Sequence, residues 1–108
     1  MSIIYVSHKY DGKKEAIRDA TRITYNLQTK DLQNHYYCPL VAIPWIAYKD
    51  ISEDDKIALK LDMLTVCDSL LIASDISDDM EDEIEFAKLV KMEVLRLEED
   101  GTIRPFKE

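Results

Sequence analysis

At 108 residues, 46% of them apolar, the chain is sized for a single domain with one modest core. Its 22 acidic residues outweigh 14 basic ones, and a formal net charge of -8 repels nucleic-acid polymers and other polyanionic surfaces. No apolar run approaches twenty residues and no charged-then-apolar leader opens the chain, so neither a membrane span nor a secretion signal is expected, and the expected location is cytoplasmic. Cys38 and Cys67 stand in apolar contexts without CxxC or His-x-Cys spacing. They read as two buried thiols, with too few companion ligands for a zinc site.

Ile3-Ile4-Tyr5-Val6 is a short β-branched, apolar run that predicts a buried first strand. After Asp11-Gly12, residues 13 to 30 carry Ala16, Ile17, Ala20, Ile23, Thr24 and Leu27 at helical spacing. Asn34 to Cys38 predicts a second strand, cut off by Pro39. From Pro39 to Asp50 the pattern is irregular but rich in large apolar side chains, including Trp45 and Tyr48, as expected of a loop that covers something. Ser52 with Asp55 three positions on resembles a helix cap, and the helix runs through Leu59, Met63, Leu64 and Val66. Ser69-Leu70-Leu71-Ile72-Ala73 predicts a central parallel strand. A helix beginning near Ser77, with Ser77 and Asp78 as caps and a box spacing from Asp78 to Glu81, leads to a strand over 92–97. Residues 98–108 read as a polar tail with nothing to order it alone, leaving 1–97 as the single domain.

Strand alternating with helix predicts an α/β fold: a doubly wound, flavodoxin- or Rossmann-like parallel sheet of four or five strands with helices on both faces. Ligands then bind beyond the carboxyl ends of the strands. Three segments meet there: the Ser7-to-Gly12 loop, the Pro39-to-Asp50 loop and the turn from Ser74 into the Glu83 helix.

Glu83 is the residue that stands out. At roughly 100° of turn per residue, Met80, Ile84, Ala87, Val90 and Phe86 fan across one apolar arc, and Glu83 projects from its middle, in the helix's first turn. Glu81, Glu85 and Lys88 fall on the opposite side as solvated charge. A carboxylate on a buried face costs free energy unless it is partnered, and such residues are commonly kept for function. The bland alternative is an exposed acid favoured by the helix dipole. His8 follows the first strand into the expected crevice, as a contact for phosphate or a leaving base or as a solvated loop residue. Tyr10, Trp45 and Tyr48 are candidates to stack on a base or to fill core and subunit interface.

Val66-Cys67-Asp68-Ser69-Leu70-Leu71-Ile72, then Ser77 and Glu83-Ile84-Glu85-Phe86-Ala87, then Met92-Glu93-Val94, with Ile4-Tyr5-Val6-Ser7 at the start, resembles the nucleoside 2-deoxyribosyltransferase superfamily, closest to a small bacterial and phage branch. The resemblance spans roughly residues 3 to 97, and its specificity lies in Ser77 to Ala87. It implies that Glu83 attacks the anomeric carbon of a 2-deoxynucleoside and expels the base, as a transferase when a second base accepts the sugar and as a hydrolase when water does. Ser77 stands where the nucleoside transferases carry an aspartate, and relatives with serine there hydrolyse 5′-monophosphates. A hydroxyl at a helix N-terminus suits phosphate. Ser7, His8, Tyr10 and Trp45 are the further substrate-binding candidates. No metal or organic cofactor is implied, the partner is a small nucleoside or nucleotide, and relatives that complete the pocket with a neighbouring chain imply at least a homodimer. Two positions depart from the pattern: Asp79 replaces a favoured glycine, and Lys60 stands where the usual catalytic aspartate lies. Both favour the alternative of a catalytically silent nucleotide-binding or protein-interaction module on the same fold.

Overall fold

The computed structural model describes residues 1–42 and 50–107. Its elements run β1 (Ile3–Ser7), α1 (Lys14–Lys30), β2 (His35–Tyr37), α2 (Pro39–Ala42), α3 (Glu53–Leu64), β3 (Ser69–Ile72), α4 (Asp78–Leu89), β4 (Glu93–Leu97) and β5 (Ile103–Pro105). The result is an α/β fold around one five-stranded, mostly parallel sheet in the order β2-β1-β3-β4-β5. The pairs among β1 to β4 are all parallel, and β5 runs antiparallel to β4.

Strand periodicity sorts the core into two halves. Tyr5, Leu70 and Ile72 point to one face, where they meet Leu64 after the Leu61 turn of α3 and Met80, Ile84 and Ala87 of α4. Ile4, Val6 and Leu71 point to the other, where they meet Ala20, Ile23 and Leu27 of α1. The alanine, isoleucine and leucine spacing read as an α1 stripe therefore is the face that closes this half. The fully buried β3 is flanked on both sides, as its unbroken apolar run requires.

The expectation of an all-parallel sheet with a polar tail needs correction at its last element. Residues 103–105 form β5, and the chain reverses at Gly101, whose φ of +90° is left-handed and suits glycine. The Glu98 N–H donates to the Thr102 carbonyl at 2.8 Å, closing the hairpin. All three β5 residues are exposed, so no buried alternation marked the strand in the sequence; backbone pairing to β4 orders it.

Two helix starts differ in how they match expectation. Ser52 caps α3, its hydroxyl accepting from the Asp55 N–H at 3.1 Å. At α4 the cap is Ser77 alone, accepting from the Met80 N–H at 3.4 Å, and Asp78 is already helical, so the box from Asp78 to Glu81 does not form. Val90, expected on the buried arc of α4, lies just past its end and is half exposed. Within the long apolar loop, Pro39–Ala42 is the short helix α2; Trp45 and Tyr48 lie outside the described residues.

Candidate functional site

The carboxyl ends of β1 and β3 lie side by side, with Ser7 in register with Ile72, and the chain leaves them toward opposite edges of the sheet. Crevices form at such a divergence. Here it is covered by α4, and α4 turns Glu83 down into it: Glu83 is 4% exposed and shares the buried face with Met80, Ile84 and Ala87, whereas Glu81, Glu85 and Lys88 are exposed. Counted from Asp78, Glu83 lies in the second turn rather than the first. The helix dipole weakens within the first turn, so the exposed-acid alternative loses its reason and the carboxyl depends on side-chain neighbours.

Strand parity supplies those neighbours. Tyr5 and Ser7, two apart on β1, share the face that α4 covers. Ser7, itself 1% exposed, donates its hydroxyl to Glu83 Oε1 at 2.9 Å. The buried Tyr5 hydroxyl adjoins the same carboxyl without meeting hydrogen-bond geometry. Burial raises the Glu83 acid above the usual carboxylate range; Lys60 and the Tyr5 and Ser7 hydroxyls pull it down, and Asp79 pushes it up. Tyr5 is likewise held well above an ordinary phenol, first by burial and then by the adjacent carboxyl. Because its hydroxyl is buried without a geometric partner, Tyr5→Phe is expected to change stability by less than about 1 kcal/mol in chemical denaturation. A loss of several times that would mean the phenol is bonded after all.

The cavity above Glu83 is lined by Ser7, His8 and Tyr10 from the β1 end, Leu40 from α2, Lys56 and Lys60 from α3, and Asp79 from α4. Its volume is about 30 Å³, room for a water molecule or two rather than a nucleoside. Three of the sequence candidates, Ser7, His8 and Tyr10, thus converge on Glu83. Trp45 lies outside the described residues. Ser77 is not among the lining residues: its hydroxyl is spent on the Met80 N–H. Ser77→Ala is expected to cost about 1 kcal/mol in thermal unfolding, the ordinary value of a cap, and to leave ligand binding at the Glu83 pocket within about twofold. His8 Nδ1 lies 2.8 Å from the Lys9 carbonyl, which only accepts, so the ring proton belongs on Nδ1.

The lysines were the residues that sequence reasoning undervalued. Ile57, Lys60, Leu61 and Leu64 share one stripe of α3, so Lys60 interrupts an apolar face just as Glu83 does on α4. The test that singled out Glu83 would have found it. Lys56 pairs with Glu53 at 3.3 Å, one turn away, whereas Lys60 makes no ion pair among the described residues. Asp68, by contrast, is structural: its carboxylate accepts from the Ile3 N–H at 2.7 Å, tying the start of β1 to β3.

No group of three or more His, Cys, Asp or Glu among the described residues is arranged to hold a metal ion, and no helix among them is long and apolar enough to cross a membrane. Comparison with protein-family models, curated proteins and solved structures returns no match.

Proposed function

We propose that the protein cleaves the N-glycosidic bond of a 2-deoxynucleoside, or of its 5′-monophosphate, with Glu83 as nucleophile on a doubly wound α/β fold. The observation that carries this reading is the buried carboxyl itself, bonded by Ser7 and lining the crevice where β1 and β3 diverge. The Glu83 carboxylate attacks the anomeric carbon as the bond to the base breaks, and the glycosyl ester passes to water in a hydrolase or to a second base in a transferase. The carboxylate supplies the chemistry, so the reading calls for no metal or organic cofactor.

Glu53, Asp79 and Glu83 face Lys56 and Lys60 across the lining, three carboxylates against two ammoniums, and Ser77 stands apart. That balance favours the uncharged nucleoside over the monophosphate. A nucleoside enters this small cavity only when lining side chains turn aside. A homodimer that completes the enclosure belongs to the same proposal, and sedimentation of the intact chain tests it.

The cavity volume and Asp79 favour a second reading, a silent nucleotide-binding or interaction module. Chromatography of a panel of 2-deoxynucleosides and their 5′-monophosphates decides between them. Base release from one class by the wild type, absent from Glu83→Ala, supports the enzyme. Binding without release supports the module.

A further inference from the structure

Lys60 has a position that a structural lysine does not need. It stands on the inner stripe of α3, lines the Glu83 cavity and forms no ion pair among the described residues. It nonetheless acts on Glu83 more strongly than any other charge. An ammonium that served only to neutralise the carboxylate would close on it; this one stays beyond ion-pair distance while lining the same cavity. A retaining glycosyl transfer requires that arrangement, because its nucleophile and its proton donor flank the scissile bond about 5 Å apart.

The other basic side chains on the lining have partners of their own. Lys56 is held by Glu53, and His8 gives its Nδ1 proton to the Lys9 carbonyl. Resting on the nucleoside reading above, we infer that Lys60 is the general acid that protonates the departing base. Glu83 Oε bonds to the anomeric carbon, and the electron pair of the C–N bond moves onto the base. One Lys60 Nζ proton passes to that base, which leaves neutral. Water then attacks the glycosyl ester and returns a proton to the Lys60 amine, and Glu83 departs as carboxylate. A nucleobase is a poor leaving group as an anion, so the donor is worth about 100-fold or more in rate.

Two variants and two leaving groups test the assignment. Lys60→Met removes the charge and the proton; Lys60→Arg keeps the charge on a group too weakly acidic to donate. Each is assayed on the best natural substrate of the panel and on 4-nitrophenyl 2-deoxyriboside, phosphorylated at the 5′ position where the natural substrate is. Nitrophenolate departs without a proton. In the first turnover, before the ester is hydrolysed, and at a pH where Glu83 is ionised in each protein, both variants are expected to release base about 100-fold or more slowly than the wild type while releasing nitrophenol within about fivefold of it. Equal losses on both substrates would make Lys60 an electrostatic partner of Glu83 and overturn the assignment, as would unchanged rates on both. A wild type that releases base but no nitrophenol also contradicts it. If the wild type cleaves neither substrate, the nucleoside reading itself falls. Should Lys60→Met fail to fold, Lys60→Arg carries the same comparison with the charge in place.

Discussion

Glu83→Gln is expected to release base at least about 10⁴-fold more slowly than the wild type and, at neutral pH, to unfold at a higher temperature. The two effects have one cause. Glu83 is held in a site that disfavours its charged form, so the native state binds a proton there more tightly than the unfolded chain does. Its contribution to stability is therefore fully present below the ordinary carboxylate value and is lost as pH rises through its raised value. Above that, the buried charge is a net cost that a neutral amide of the same shape avoids. The gain from Glu83→Gln should be present at pH 7 and disappear as pH falls through the ordinary carboxylate range. Activity runs the other way, since only the ionised carboxylate attacks, and the acid limb of kcat/KM should lie above the usual carboxylate range. Thermal melts of both proteins across pH, beside rate profiles of the wild type, check each part. A variant less stable than the wild type at pH 7 would mean that Ser7, Tyr5 and Lys60 more than compensate the burial.

Leu71→Ala carries the largest expected loss of stability, about 2–5 kcal/mol. Leu71 is fully buried in β3, pairs in register with Val6 on one side and Leu95 on the other, and fills the half-core closed by α1. A strand held on both edges cannot shift to fill the space, so the cavity term stays close to its full size. Against a total of roughly 5–15 kcal/mol for a domain, that is a large share. Glu83 lies on the opposite face of the sheet, so activity per folded molecule should be retained. Denaturant titration should show a lower midpoint at an unchanged slope. A loss below about 1 kcal/mol would mean that the sheet is less tightly held than its register implies.

The parts of the fold that were legible in sequence are those where one local pattern decides the outcome. The apolar run of β3, the α1 stripe and the Ser52 cap each follow from side chains within a few positions of one another. Glu83 was legible for the same reason, as a polar residue breaking a helical stripe. Features that depend on distant partners were hidden. Exposed β5 exists because β4 offers it an edge, and three residues cannot announce that by periodicity. Tyr5 reads as one more apolar strand residue until the fold brings α4 over it. Lys60 was legible as a polar break in the α3 stripe, while its placement beside Glu83 depends on the packing of α3 beside α4. Ser77 was legible as a cap, and the structure shows it capping α4 from outside the cavity lining.

The most direct measurement is the intact mass of the protein quenched in acid during turnover of its best substrate from the panel, followed by peptide mapping. The account predicts a fraction of the chain heavier by one 2-deoxyribosyl group, phosphorylated where the substrate is, with the increment on the peptide containing Glu83 and absent from Glu83→Gln. Base release with the increment on a different residue would contradict the assignment of Glu83 as the nucleophile.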